Sequence, residues 1–171
     1  NSIEAVMQDQ PIILMVTPTH SLRNIMTQLK PFIQPGSLII NASKGIENDS
    51  LSTCHNIIKD SLNIPCDVAT ISGPTFAREI AAKVPSALLA ASKSEDVAKR
   101  VQENFSSKYV KVFTSTDVLG VEIGGALKNV IAIATGISDG LKLGFNTRAA
   151  LITRGLVEIT RIGTELGAKP E

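Results

Sequence analysis

Short apolar runs alternate with amphipathic segments through the first part of the chain. The apolar runs lie at 11–18, 37–42 and 67–72, and they end in proline, alanine and serine, respectively. Such runs are typical of strands buried on both faces of a parallel sheet. The segments at 21–32 and 51–62 carry apolar residues at helical spacing. This order of strands and helices predicts βαβ units with right-handed crossovers.

The alternation then continues with shorter elements. We predict a short helix at 76–83, strands at 86–92 and 109–115, and a helix between these strands that begins near Ser94. Acidic residues directly after Ser94 suit the first turn of that helix, because the helix dipole favours negative charge there.

From Asp117 onward the pattern changes and predicts no further strand. The segments at 117–143 and 146–166 are long and helical. We therefore predict a domain boundary, with an α/β domain over residues 1–116 and the start of an all-helical domain over residues 117–171.

Composition and charge narrow the functional classes. The 171 residues are 43% hydrophobic, and 17 lysines and arginines nearly balance 16 aspartates and glutamates. The chain has no basic stripe and only 4% aromatic residues, which argues against nucleic-acid binding. Cys54 and Cys66 lack metal-ligand spacing, so we expect no metal site and a reduced, cytoplasmic setting. We find no apolar run that approaches the length of a membrane span.

The two ends predict that the sequence is an excerpt from a longer protein. It opens at Asn1 without an initiator methionine or a signal peptide, and it stops at Glu171 just after a predicted helix. On this interpretation the strand at 11–18 lacks neighbours, so we expect an exposed apolar sheet edge.

A single lysine interrupts the small and apolar residues of the first long helix. Lys128 lies within 124–134, where its neighbours are glycine, alanine, asparagine and aliphatic residues. Such a lysine either reaches water along its own stem or occupies a polar pocket. Desolvation in a pocket makes an ammonium group release its proton more readily, as proton transfer requires. From this helix alone both interpretations stay open.

Polar, flexible segments follow three of the predicted strands, at 17–21, 41–45 and 72–77. Parallel α/β sheets bind ligands beyond the carboxyl ends of their strands, so these segments are candidates for a binding site. Lys44 would place a cation at this edge, and Gly73 would let the backbone approach a ligand closely. Ordinary strand-to-helix turns are the alternative interpretation of each segment.

Five motifs together resemble one enzyme family. They lie at 41–47, 72–79, 121–129, 136–141 and 146–155. In their order and spacing the chain is similar to the bacterial-type NAD(P)-dependent glycerol-3-phosphate dehydrogenases over nearly all of its length. The resemblance implies that the first domain is the carboxyl-side part of a Rossmann-type dinucleotide-binding domain, followed by an all-helical substrate domain.

The resemblance also implies roles for individual residues. Lys128 corresponds to the family's general acid/base, which would exchange a proton with the C2 oxygen of the substrate. Lys44 corresponds to a lysine that contacts both cofactor and substrate. Two ammonium groups around one carbonyl make physical sense, because one stabilises alkoxide charge and repels the proton of the other. The other implied substrate contacts are Gly73, Thr75 and Asn129, and the other implied cofactor contacts are Ala77 and Ser21.

The implied activity is the interconversion of sn-glycerol 3-phosphate and dihydroxyacetone phosphate by hydride transfer with NAD or NADP, which feeds glycerophospholipid synthesis. The implied full-length enzyme is a cytoplasmic homodimer. The family's glycine-rich pyrophosphate turn would precede Asn1, so the choice between NAD and NADP stays open. The 171 residues alone are expected to be inactive.

Two alternatives remain at this point. Another β-hydroxyacid-type dehydrogenase, similar to 6-phosphogluconate dehydrogenase, would share the two-domain plan and a related lysine segment. The second alternative is a non-catalytic protein that keeps the fold only for assembly. The two histidines, His20 and His55, are not predicted to be catalytic, and His55 is predicted to lie on an exposed helix face.

Overall fold

The computed structural model describes residues 2–170, which form a five-stranded sheet, its covering helices and a pair of long helices. The strands are β1 (Ile12–Met15), β2 (Leu38–Asn41), β3 (Asp67–Ser72), β4 (Ser86–Ala91) and β5 (Val110–Ser115). The helices are α1 (Ile3–Met7), α2 (Thr19–Leu29), α3 (Cys54–Ser61), α4 (Ala77–Ala81), α5 (Glu95–Phe105), α6 (Val118–Gly140) and α7 (Phe145–Glu165). Every element predicted from the sequence is present, although several are shorter than predicted.

The sheet has the strand order β1-β2-β3-β4-β5 and is mixed. Strands β1, β2 and β3 are parallel, as the βαβ pattern predicted, and β4 is parallel to β5. Helices α2, α3 and α5 lie between these parallel neighbours in the chain, where a crossover connection is needed. Strand β4 runs antiparallel to β3. This reversal follows a connection that contains the five-residue α4, and the sequence did not predict it.

Buried aliphatic side chains on both faces of the sheet form the core. Helices α2 and α3 cover the face that contains Ile39 and Val68. Helix α5 covers the opposite face, which contains Leu38, Ile40 and Ala69. Strand β2 has a neighbour on each side and helices on both faces, so all four of its residues are buried.

Strand β1 differs because it lies at the edge of the described sheet. Ile13 and Met15 are buried, whereas Ile12 and Leu14 are 37% and 44% exposed. The prediction that this strand is buried on both faces is therefore wrong. The exposed apolar edge that we expected at β1 is observed.

Helices α6 and α7 pack against each other, and α6 also packs on β3 and β4. The two helices approach closely where Gly155 faces Ile131, since a Cβ atom at Gly155 would lie 2.4 Å from Cδ1 of Ile131. Asp117 caps α6, because its Oδ1 accepts a hydrogen bond from the backbone N of Gly120 at 3.0 Å. The N-terminal half of α6 is thus held at the carboxyl end of β3.

Among residues 2–170, one helix is long enough and apolar enough to cross a membrane, judged by length and composition alone. This helix is α6. The expectation that no apolar run approaches this length is therefore wrong. In this structure α6 buries the charged residue Glu122 against the sheet and carries Lys128 six residues later, which is about 1.7 turns.

Candidate functional site

Several contacts fix the backbone around Lys44 at the end of β2. Asn41 is fully buried, and its Oδ1 accepts a hydrogen bond from the backbone N of Ser43 at 3.0 Å. Thr19 donates from Oγ1 to the carbonyl O of Lys44 at 3.0 Å. Gly45 has a φ of +139°, and a Cβ atom there would lie 2.8 Å from Oγ1 of Thr19, so the turn favours glycine. Lys44 is therefore presented at the carboxyl edge of the sheet.

The side chain of Lys44 reaches from the end of β2 to the end of β3. Its Nζ donates to the carbonyl O of Gly73 at 3.2 Å. Its stem passes beside Gly125 of α6, where a Cβ atom would lie 3.8 Å from Cγ of Lys44. Partial burial lowers the pKa of Lys44, and the positive charge of nearby Lys128 lowers it further. The two lysines are thus close enough to repel each other.

Lys128 lines a cavity of about 710 Å³ between the sheet edge and the two long helices. Its walls include Ser72 and Gly73 from the end of β3 and Gly125 from α6. Lys44 lines an adjoining cavity of about 10 Å³, which shares Ser72 and Gly125 with the larger one. The structure therefore brings Lys44, Gly73 and Lys128 together at one edge of the sheet.

The other residues to which the resemblance gave roles do not line either cavity: Ser21, Thr75, Ala77 and Asn129. Thr75, Ala77 and Asn129 are exposed, and Ser21 is half-buried in the first turn of α2. Their binding roles stay predictions. Among residues 2–170 there is no group of three His, Cys, Asp or Glu side chains that could hold a metal ion.

Glu122 is a buried carboxylate that was not among the site residues predicted from the sequence. It is 6% exposed. It accepts hydrogen bonds from Nδ2 of Asn41 at 3.1 Å, Oγ1 of Thr70 at 2.9 Å and the backbone N of His55 at 3.0 Å. A glutamate among the apolar and small residues that open α6 was the available signal, because glutamate is rarely buried without partners.

Comparison with known proteins identifies the family to which the chain is similar. The family profile described as NAD-dependent glycerol-3-phosphate dehydrogenase N-terminus matches residues 1–98, and the profile described as its C-terminus matches residues 117–171. The chain belongs to the NAD-dependent glycerol-3-phosphate dehydrogenase family. The resemblance seen in the motifs is thereby confirmed. So is the expected fold, a Rossmann-type domain followed by the start of a helical one.

Individual relatives of the dehydrogenase family agree with this assignment. The glycerol-3-phosphate dehydrogenase [NAD(P)+] of Syntrophobacter fumaroxidans is 47% identical over 99% of this chain and 51% of its own length. The protein of the same name from Geobacter sulfurreducens is 50% identical over 100% of this chain and 52% of its own length. The crystal structure of glycerol-3-phosphate dehydrogenase from Coxiella burnetii is 39% identical with a TM-score of 0.90, over 98% of this chain and 51% of that one. The chain spans about half the length of the curated relatives it matches.

His55 in this member of the dehydrogenase family is buried, with 3% exposure, so the predicted exposed position is wrong. Neither of its ring nitrogens has a hydrogen-bond partner among residues 2–170. Burial lowers the pKa of His55 to about 4, and the positive charges of Lys93 and Lys59 act in the same direction. The helical pattern could not show this, because groups that meet α3 here, such as Glu122, come from distant parts of the chain.

The buried His55 predicts a loss of stability in mild acid. The unfolded chain binds a proton at the usual pKa of 6.5, whereas folded His55 does so at a pKa of about 4. Between these values the unfolded state holds more protons, so the free energy of unfolding falls as the pH falls through this window. The loss at this residue should total about 3 kcal/mol, and it should be absent above the unfolded pKa.

Urea unfolding of the full-length protein at several pH values between about 7 and 4 would measure this loss. The His55→Leu variant is the matched control, since it fills the site without a titrating group. If the free energy of unfolding of His55→Leu falls with pH as much as that of the unsubstituted protein, then other groups cause the acid sensitivity.

Gly73 combines an unusual backbone angle with close packing. Its φ is +151°, and a Cβ atom there would lie 2.6 Å from the carbonyl O of Ala87. Gly73→Ala should therefore lower the free energy of unfolding by about 1–3 kcal/mol. Thermal unfolding would measure it. Gly136→Ala is the control, because a Cβ atom at Gly136 meets no atom within 4 Å and helix propensity favours alanine. Equal losses in the two variants would refute the steric account.

Proposed function

We propose that this protein interconverts sn-glycerol 3-phosphate and dihydroxyacetone phosphate, with NAD or NADP as the hydride carrier. The observation that carries the proposal is the meeting of Lys44, from the end of β2, with Lys128, from α6, at the carboxyl edge of the sheet. Oxidation of an alcohol needs a base near the hydroxyl, and reduction of a ketone needs an acid near the carbonyl oxygen. The two lysines supply a proton-transfer group and a second positive charge.

Lys128 is the proposed general acid/base. The nicotinamide ring, when bound, supplies the hydride that C2 of dihydroxyacetone phosphate accepts. Lys128 donates a proton from Nζ to the C2 oxygen, and in the oxidation of glycerol 3-phosphate it takes the proton back. Lys44 stabilises the negative charge that develops on this oxygen. The lowered pKa of Lys44 supports this arrangement, because it reflects partial burial and the neighbouring charge of Lys128.

The carboxyl edge of the sheet fits a dinucleotide. Three parallel strands end there, Lys44 offers a cation, and Gly73 lies in the wall of the cavity that Lys128 lines. The residues proposed to hold NAD or NADP are Lys44, Ala77 and Ser21.

The proposed substrate contacts are Lys44, Gly73, Thr75, Lys128 and Asn129. Gly73 is supported by its place in the wall of the cavity that Lys128 lines. Asn129 is supported by its position directly after Lys128 in the sequence.

We further propose that residues 1–116 and 117–171 belong to two domains. The end of β5 at Ser115 and the cap of α6 at Asp117 support this boundary. The full-length protein is proposed to be a cytoplasmic homodimer whose product, glycerol 3-phosphate, feeds glycerophospholipid synthesis.

A turnover assay of the full-length protein tests the function. Oxidation of NADH or NADPH should depend on dihydroxyacetone phosphate, and the reverse reaction should depend on glycerol 3-phosphate. The comparison substrate is 6-phosphogluconate with NAD or NADP. Activity with 6-phosphogluconate alone would favour another β-hydroxyacid-type dehydrogenase, and inactivity with every substrate would favour a non-catalytic role.

A further inference from the structure

We propose that Glu122 is a positioning residue, whose carboxylate fixes α6 against the strand ends and thereby places Lys128 beside Lys44. The kinetic consequence of this inference rests on the proposed function. The placement itself can be measured without any turnover.

Glu122 joins four elements at one point. Donors from α3, β2 and β3 converge on its Oε1: the backbone N of His55 at 3.0 Å, Nδ2 of Asn41 at 3.1 Å and Oγ1 of Thr70 at 2.9 Å. The backbone N of His55 also lies 3.2 Å from Oε2. All four residues are buried. Hydrogen bonds are directional, so three donors on one oxygen restrict α6 to one position on the sheet.

The carboxylate also caps α3. Thr53 occupies the N-cap position of α3 but makes no side-chain hydrogen bond to the helix. His55 lies in the first turn, where backbone N–H groups have no acceptor inside the helix. Glu122 supplies that acceptor, and the helix dipole favours its negative charge there. One side chain of α6 therefore completes a helix that packs on the sheet.

The contacts of Glu122 affect the positions of both lysines. Asn41, one of the donors, also accepts from the backbone N of Ser43 and so shapes the turn before Lys44. On α6, Lys128 follows Glu122 by six residues, which is about 9 Å along the helix axis. A helix is stiff over this distance, so the position of the carboxylate determines the position of the Lys128 backbone.

Helix α6 presents a glycine, and so no side chain, to Ser72 at the end of β3. One turn after Glu122 the helix presents Gly125, where a Cβ atom would lie 3.0 Å from Oγ of Ser72. At this position the backbone of α6, rather than a side chain, therefore meets Oγ of Ser72. An apolar residue at position 122 would also favour burial, but it would supply no directional contact to set the register.

The test uses three substitutions in the full-length protein: Glu122→Ala, Glu122→Gln and Thr70→Val. Glu158→Gln is the control, because Glu158 pairs with arginines on the surface of α7. Turnover of dihydroxyacetone phosphate gives kcat and KM. Titration of the Lys44 Cε signal by NMR, assigned with Lys44→Arg, gives the pKa of Lys44, which depends on the burial of Lys44 and on the nearby charge of Lys128.

Glu122→Ala should lower kcat roughly 10- to 100-fold while KM changes less, since a misplacement of about 1 Å has effects of this size. The pKa of Lys44 should rise toward its ordinary value as Lys128 moves away. Glu122→Gln should restore most of kcat, because its amide oxygen can keep the three donors that converge on Oε1. Thr70→Val removes one donor with little change in volume and should lower kcat roughly three- to tenfold.

The proposal would be overturned if Glu122→Ala had the same kcat and the same Lys44 titration as the unsubstituted protein. Equal effects of Glu122→Ala and Glu122→Gln would also overturn it. The same holds if kcat falls and KM rises in parallel while the Lys44 titration stays unchanged. Both outcomes indicate general destabilisation. If Glu122→Ala does not fold, Thr70→Val decides by the same two readouts. If the unsubstituted protein does not turn over dihydroxyacetone phosphate, the proposed function fails, and the Lys44 titration alone decides whether Glu122 positions Lys128.

Discussion

Replacing Lys128 by alanine is expected to slow the reduction of dihydroxyacetone phosphate by the full-length protein by about two to four powers of ten. Alanine leaves the C2 oxygen without its proton donor, while the strand ends and Gly73 stay in place. Binding of NADH should change little, because the proposed cofactor contacts are Lys44, Ala77 and Ser21. Single-turnover kinetics would measure the chemical step, and a fluorescence titration with NADH would measure cofactor binding.

Two arginine variants separate proton transfer from charge. Lys128→Arg keeps the positive charge but cannot release a proton near neutral pH, so it should not restore turnover. Lys44→Arg also keeps its charge and should retain far more activity. A fully active Lys128→Arg enzyme would remove the proton-transfer role. The opposite order of activities would assign proton transfer to Lys44, whose pKa is lowered by burial and by the charge of its neighbour.

Local patterns predicted the elements well because each depends on residues close in sequence. The buried run of β2 and the cap of α5, where Ser94 accepts from the backbone N of Val97, are both visible in a short window. The reversal of β4 is different. Strand direction depends on how the connection from β3 packs, and the apolar residues of β4 fit either direction. The same limit applies to β1, whose exposure depends on which strands lie beside it.

The candidate site also contains residues that could be predicted from the sequence and one that could not. Lys44, Gly73 and Lys128 could be brought together from the sequence because parallel strands end at one edge and the family motifs mark these positions. Glu122 could not be placed, since its partners at positions 41, 55 and 70 are 52 to 81 residues away in the chain. Periodicity identifies a buried face but does not reveal which polar groups meet there.

Glu122→Leu is expected to lower the free energy of unfolding of the full-length protein by about 3–5 kcal/mol. Leucine favours burial and has a similar volume, so the loss comes from the groups that faced the carboxylate. The backbone N of His55 and Oγ1 of Thr70 lose their acceptor in a buried site. Nδ2 of Asn41 is affected less, because it also donates to the carbonyl O of Ser43 at 3.3 Å.

Urea unfolding near pH 7 would measure this loss, with Glu158→Leu as the control. Glu158 makes salt bridges with Arg154 and Arg161 on the surface, where such pairs contribute about 1 kcal/mol or less. A loss in Glu122→Leu no greater than that in the control would contradict the account. Glu122→Gln distinguishes the acceptor from the charge. If glutamine keeps most of the stability that leucine loses, then the oxygen that receives three donors, rather than the negative charge, holds α6 on the sheet.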